Sequence, residues 1–142
     1  MTAEFPLAVH ALVYLLHKNQ LVSSQELADN ICTNPARVRK VMAKLNRAGL
    51  SEVSRGQGSG YLTRPDAAHI TLSEILSALG EEAISMSWAS GSIDMDCLIA
   101  SGMGEIMDGL YARLNEACRL KLSEVTIGSI NNRIFKESEG EK

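Results

Sequence analysis

The strongest constraint on the fold of this chain is a short helical segment followed by a tight connection and a longer basic helix, between residues 23 and 48. Ser23 and Glu26 have the spacing of an N-terminal capping box. Asn34 and Pro35 predict the start of the next helix, because Asn is a favoured N-cap and Pro is tolerated at the first helical position. Gly49 is expected to follow that helix in the left-handed conformation. This succession predicts a helix-turn-helix.

The basic helix has two chemically different faces when its residues are placed at about 100° intervals. The apolar face consists of Val38, Val41, Met42 and Leu45. The opposite face carries Arg37, Lys40, Lys44 and Arg47, with Arg39 beside this stripe. Residues 35 to 65 contain seven Arg or Lys and one acid, a charge of +6 in a chain whose net charge is −3. A basic patch on an acidic body predicts a localised nucleic-acid-binding face, and the alternative is a solvated charged helix.

A glycine-rich hairpin is predicted directly after this helix. Its strands are expected at Ser51–Ser54 and Tyr61–Thr63, on either side of a segment with three glycines in five residues. Glycines permit the positive φ angles of a tight turn. The motif G-x-x-x-x-G-K of phosphate loops does not occur. A hairpin in this position is typical of the wing of a winged helix-turn-helix.

The C-terminal half has the pattern of helices separated by one long loop. Thr71 and Glu74 form a second capping box, and residues 80–102 are expected to be mostly loop. A long helix is predicted from Met103 to Leu122, with an apolar stripe too broad for one small chain to cover. We therefore expect it to pair with a second copy of the chain. A last amphipathic helix is predicted from Thr126 to Glu137.

Together these patterns predict a mainly α fold, a winged helix-turn-helix with a two-stranded wing and a long C-terminal dimerisation helix. The predicted domains are a DNA-binding domain over residues 1–80, a sensor loop over residues 81–102, and the dimerisation and C-terminal helices over residues 103–142.

Several other classes of protein are disfavoured. A membrane partner is not expected, because no apolar stretch approaches the roughly 18 residues of a membrane span. The N-terminus lacks the basic leader of a signal peptide, and three cysteines fit a reducing cytoplasm better than a disulfide scaffold. His10, His17 and His69 do not cluster with metal-ligand spacing, and no catalytic motif occurs, so an enzyme is not predicted. A winged helix that binds protein instead of DNA remains the alternative.

The run from Asn34 to Leu50, followed by the run from Ser54 to Arg64, resembles the IscR/NsrR/CymR family of regulators, also called Rrf2. That family has a wing of the form R-G-x-x-G-G-Y-x-L, in which Ser59 here replaces the first glycine of the pair. The resemblance implies a homodimeric transcriptional repressor that binds double-stranded operator DNA, with the recognition helix in the major groove and the wing in the minor groove.

Carried onto this sequence, the resemblance assigns DNA contacts to both elements. Arg37 and Lys40 are expected at bases or nearby phosphates, and Lys44 and Arg47 at the backbone. The remaining predicted contacts are Asn34, Arg39, Arg55, Gln57, Ser59 and Tyr61.

The nature of the signal is less clearly indicated. Some members of the family hold an iron–sulfur cluster with three closely spaced cysteines before the long helix, whereas this chain has only Cys97 there. No cofactor is therefore expected, although an unusual site using Glu4, His10 or Asp96 stays open as an alternative. A small-molecule effector pocket in the loop around Trp88 is a further alternative.

Two cysteines suggest a thiol-based signal. Cys32 lies just before the recognition helix, where the positive end of the helix dipole and Arg37 would favour a thiolate. The chain resembles the hypochlorite-responsive HypR-like branch, in which cysteines at the positions of Cys32 and Cys97 form an intersubunit disulfide. The resemblance thus implies that both are redox-sensing, while the alternative for Cys32 is a small buried side chain. Cys118, on the apolar stripe, is expected in the core.

Overall fold

The computed structural model describes residues 1–56 and 58–140, with side chains up to residue 136. The helices are α1 (Glu4–Lys18), α2 (Ser24–Ile31), α3 (Pro35–Arg47), α4 (Leu72–Ala78), α5 (Leu98–Ser123) and α6 (Ile127–Gly140). Strands β1 (Ser51–Ser54) and β2 (Gly60–Thr63) form an antiparallel hairpin in which Ser51 pairs with Thr63. A short 3-10 helix at Ala67–His69 connects β2 to α4. The predicted mainly α fold with a two-stranded wing is confirmed.

The hydrophobic core is built around α1. Its residues Ala8, Ala11, Leu12 and Leu15 are almost completely buried, and the helix packs against α2, α3, α4 and α6. The core also includes Ile127, at the start of α6. The last helix therefore folds back onto the N-terminal part of the chain, and the backbone hydrogen bond from the Ile127 N–H to the Ile70 carbonyl, at 2.9 Å, holds it there.

The helix caps agree with the sequence patterns, with one exception. Thr71 and Glu74 form both hydrogen bonds of a capping box. The hydroxyl of Ser23 accepts a hydrogen bond from the Glu26 N–H, as predicted. The carboxylate of Glu26, however, accepts a hydrogen bond from the Tyr14 hydroxyl at 2.8 Å. The second half of the predicted capping box at Ser23 is wrong, because a tertiary partner from α1 takes the glutamate side chain.

The long helix begins earlier than the sequence suggests. Helix α5 starts at Leu98 instead of near Met103, with Cys97 in extended conformation as its N-cap residue. The segment before it is irregular, as predicted, and folds back on the first turn of α5, where the Ser92 N–H donates to the Ala100 carbonyl at 3.0 Å. The glycines at the start of α5 obscured this first turn, because Gly is a weak helix former.

Within the chain, α5 buries little of its apolar surface. Asn115 is its only buried residue, whereas Leu98, Ile99 and Ile106 are 86%, 72% and 67% exposed. Cys118 is half-buried, so its predicted place in the core is wrong for the single chain. Across the described residues, none of the helices has both the length and the apolar character needed to cross a membrane.

Candidate nucleic-acid interface

The buried apolar face of helix α3 fixes the rotation of the helix about its own axis. The four side chains of its apolar face, Val38, Val41, Met42 and Leu45, are completely buried. The helix begins at a capped end, where the Asn34 side chain accepts a hydrogen bond from the Arg37 N–H at 2.9 Å and Pro35 occupies the first turn. Because the buried side chains determine the orientation of the helix, its opposite face points to solvent.

The solvent face of α3 combines cations with small side chains. Its exposed residues are Ala36, Arg37, Arg39, Lys40, Ala43 and Arg47. At helical spacing Ala36, Lys40, Ala43 and Arg47 lie along the middle of this face, and the two other arginines flank it on opposite sides. The two alanines leave room for the helix backbone to approach the floor of a groove, while the cations around them attract phosphates.

Two of the predicted contact residues are already engaged by an acid from α1. Lys44 Nζ lies 2.7 Å from one carboxylate oxygen of Glu4, and Lys40 Nζ lies 3.4 Å from the other. The side chain of Lys44 is only 28% exposed, whereas that of Lys40 is 69% exposed. The hydrogen bond from Lys44 holds the pKa of Glu4 below its ordinary value, with a smaller contribution from Lys40. The cationic stripe is therefore partly neutralised at one edge.

The opposite edge of α3 faces the wing. Arg39 approaches the Ser24 hydroxyl at 3.4 Å, at the first turn of α2. A concavity of about 360 Å³ separates Arg39 from the hairpin, and its walls include Ser24, Arg55, Ser59 and Tyr61. Arg39, which lay beside the stripe in the sequence pattern, thus faces the wing across this concavity.

The base of the wing is fixed by β2. The backbone of Tyr61 exchanges hydrogen bonds of 2.7 and 3.0 Å with Val22, the residue before the cap of α2. A Cβ atom at Gly60 would lie 2.6 Å from the Val22 carbonyl oxygen, so this approach requires glycine. Burial raises the pKa of Tyr61, and the nearby charge of Arg39 opposes that shift. Ser59 is exposed near the tip, and Gln57 lies outside the described residues.

A family model for the Rrf2 regulators, described as iron-dependent transcriptional regulators, matches residues 1–133. The chain belongs to the Rrf2 family. It is therefore a transcriptional regulator and not an enzyme, and the resemblance in the recognition helix and wing is confirmed at the level of the family.

Individual known proteins are similar to this chain to different extents. The regulator IscR of Cereibacter sphaeroides is 35% identical over 74 residues, which are 52% of this chain and 48%, about half, of that protein. A solved structure from Lactobacillus plantarum, assigned as a transcriptional regulator, has a TM-score of 0.78 with 21% identity and covers both chains completely. CymR, the global cysteine regulator of Bacillus subtilis, has a TM-score of 0.66 with 17% identity over 94% of this chain and 96% of its own. At these identities the structures establish the fold.

Cys32 occupies the turn of the Rrf2 helix-turn-helix. It ends α2 in the left-handed conformation, with φ of 65°. The residue is exposed, which overturns the alternative of a buried hydrophobic side chain. Its Sγ is 3.9 Å from the Asp29 carbonyl oxygen, and it borders a cleft of about 280 Å³ that also contains His10 and Arg37.

Cys97 is exposed at the N-terminus of α5. The backbone N–H groups of Ala100 and Ile99 lower the pKa of its thiol, because they favour the charged form. A lowered pKa increases the fraction of thiolate, which is the nucleophilic form of cysteine.

The side chains present do not fit the iron suggested by the description of the Rrf2 family. Among the side chains that the structure describes, no group of three or more His, Cys, Asp or Glu could hold a metal ion. Of the possible ligands of an unusual site, Glu4 is bound to two lysines, and His10 Nε2–H donates to Asn30 Oδ1 at 2.7 Å.

The contact of Glu4 with α3 was not predicted from the sequence. No local pattern indicates it, because Glu4 and Lys44 are 40 residues apart and meet only where α1 crosses α3. The sequence does contain one signal of it. Helix α3 carries several cations but no acid within helical reach, so an acid from another element can pair with them.

Proposed function

We propose that this Rrf2-family regulator is a homodimeric repressor of operator DNA whose binding is controlled by oxidation of Cys32 and Cys97. The observation that carries the proposal is the exposed cationic face of α3 beside the wing. The 13 residues of α3 extend over about 20 Å at the rise of an α-helix. A helix of this size enters the major groove, while flanking arginines at the wing reach phosphates of the adjacent minor groove.

Dimer formation is supported by the apolar surface of α5. Leu98, Ile99 and Ile106 are exposed on a helix of 26 residues, and Leu110 and Leu114 are also exposed. Contiguous apolar surface of this length marks an interaction site in a water-soluble chain. Pairing with the same helix of a second copy buries this surface symmetrically and presents two recognition helices to a palindromic operator.

The thiol step joins two exposed cysteines. Each of the two thiols loses one electron and one proton, and a disulfide bond forms between the sulfur atoms. If hypochlorous acid is the oxidant, the two electrons and one proton reduce it to chloride and water, and the second proton is released. Cys97, which is exposed and whose pKa is lowered, is the initial nucleophile. A covalent bond at Cys32 would displace the turn that orients α3.

The DNA-binding part is tested by fluorescence anisotropy with a duplex selected from random-sequence DNA by the reduced protein. Lys40→Ala is expected to weaken binding about tenfold, in the range of lost charged contacts, and to reduce the salt dependence by about one phosphate contact per protomer. Lys121→Ala, on the exposed surface of α5, is the matched control. Equal affinities for the two variants at fixed salt would contradict the assignment of this face.

The thiol part is tested on the same protein after brief treatment with hypochlorite. The wild type is expected to run as a covalent dimer on a non-reducing gel and to lose affinity for the duplex. Cys32→Ser and Cys97→Ser should abolish the covalent dimer, whereas Cys118→Ser should retain it. An oxidised wild type that stays monomeric on the gel and binds DNA unchanged would refute the thiol mechanism and leave the DNA-binding proposal intact.

A further inference from the structure

An apolar groove of about 620 Å³ runs between α1 and α6, and it shares Pro6 and His10 with the cleft at Cys32. We call it the α1–α6 groove. Its apolar and aromatic lining includes Phe5, Val9, Val13, Tyr14, Leu72, Ile130, Ile134 and Phe135. At one place the rings of His17 and Phe135 stack in parallel with centroids 4.0 Å apart. Volume and lining are those of a site for a small organic molecule.

The lining of the α1–α6 groove also contains polar side chains, of which His10 and Asn30 are hydrogen-bonded to each other. The Oδ1 atom of Asn131 is buried and has no hydrogen-bond partner. Buried amide oxygens are nearly always paired, so this atom lacks a donor. Lys18 borders the groove, where its ammonium lies 5.4 Å from the centre of the Tyr14 ring. No Asp or Glu occurs among the described lining residues. The groove therefore favours a ligand with an apolar body, a negative charge and a hydrogen-bond donor.

We propose that the α1–α6 groove binds a small aromatic carboxylate that carries a hydroxyl or amine donor. The ring lies among Val9, Val13 and Ile130, and the carboxylate meets the Lys18 ammonium. A rotation of the Asn131 side chain turns its unpaired Oδ1 toward the groove, where the ligand's donor supplies the missing hydrogen bond. A second copy of the chain or a helix of another protein is a poorer occupant. Either would cover much more surface than the groove offers, without placing an anion at Lys18 and a donor at Asn131.

The position of the groove gives such a ligand a means of regulation. Helix α1 packs against the recognition helix α3, and α6 directly follows the long helix α5. A ligand between α1 and α6 therefore contacts both the DNA-binding part and the segment that leads from the proposed dimer helix. This regulatory consequence rests on the proposed function, whereas binding of the ligand does not.

The site is tested by isothermal titration calorimetry of the full chain with 4-hydroxycinnamate as the probe. Saturable binding of one molecule per chain is expected, with at least a tenfold loss of affinity for the methyl ester, which lacks the charge, and for cinnamate, which lacks the donor. Lys18→Gln and Asn131→Leu should each weaken binding of the probe at least tenfold. Lys121→Gln and Asn132→Leu, at exposed positions, are the matched controls.

A melting curve separates loss of the site from loss of the fold. Asn131→Leu removes an unpaired buried oxygen, so the free variant should melt no lower than the wild type although it fails to bind. Absence of saturable binding, or equal weakening by the control variants, would overturn the proposal. If Lys18→Gln or Asn131→Leu instead abolishes the dimer in light scattering, the groove is an interface between copies and the ligand proposal is wrong. DNA affinity of the ligand-free protein, measured in parallel, reports on the proposed function separately.

Discussion

Replacement of Glu4 by Gln is expected to strengthen DNA binding and at the same time weaken the fold. In the free protein the Glu4 carboxylate pairs with Lys44 at 2.7 Å and with Lys40 at 3.4 Å. Both lysines lie on or beside the face of α3 that we assign to DNA. To contact a phosphate, each lysine must either leave the Glu4 carboxylate or bind the carboxylate and the phosphate together. The carboxylate therefore competes with DNA for the same two cations.

The size of the effect follows from the exposure of the pairs. Surface ion pairs contribute about 0.2–1 kcal/mol each, and the Lys40 pair belongs at the lower end because Lys40 is 69% exposed. Loss of the competition should thus improve binding by roughly 1 kcal/mol per protomer, or about fivefold for each half-site. If both lysines gain a phosphate contact, the slope of log K against the logarithm of the salt concentration becomes steeper by about 0.9 for each contact.

Stability should change in the opposite direction. The pKa of Glu4 is lowered in the folded chain, so its pairing stabilises the fold above the ordinary pKa of a glutamate and is lost as the pH falls through the lowered value. Urea unfolding should therefore show Glu4→Gln to be less stable than wild type by about 0.5–1 kcal/mol at pH 7, with a smaller difference near pH 3.

The assay is anisotropy of a labelled duplex over a series of salt concentrations, beside unfolding of the same samples. Glu105→Gln, at an exposed position of α5, makes the same change of net charge and serves as the control. An unchanged affinity in Glu4→Gln, or an equal gain in Glu105→Gln, would refute the competition, because net charge alone would then account for the result.

Three other substitutions probe the wing, the loop and the long helix. Gly60→Ala should destabilise the fold by about 1–3 kcal/mol and weaken DNA binding, since its Cβ would lie 2.6 Å from the Val22 carbonyl oxygen; Ser59→Ala is the control. Asn115→Ala should lower the free energy of unfolding by about 2–4 kcal/mol, because the Asn115 side chain bonds both the N–H and the carbonyl of Ile84; a loss below that of exposed Asn132→Ala would contradict this role. Ile106→Glu should give a monomer in light scattering, and a persisting dimer would exclude this part of α5 from the interface.

The sequence alone determined the elements whose signals are local. Asn34 and Thr71 act as caps through hydrogen bonds to groups three residues away, and the apolar spacing of Val38 to Leu45 determines which side of α3 is buried. The glycines around position 57 permit the turn between the strands of the wing. Such signals are readable because each depends on a few neighbouring residues and on helical or strand periodicity.

The tertiary structure decided how these elements combine into a surface. Glu4 meets Lys44 across 40 residues, and Tyr14 takes Glu26 away from its capping box. The α1–α6 groove exists only because α6 returns to α1 at the end of the chain. These contacts join residues that are far apart in sequence, and they depend on the angles at which helices cross. Packing of whole side-chain surfaces determines those angles, and no local pattern encodes them.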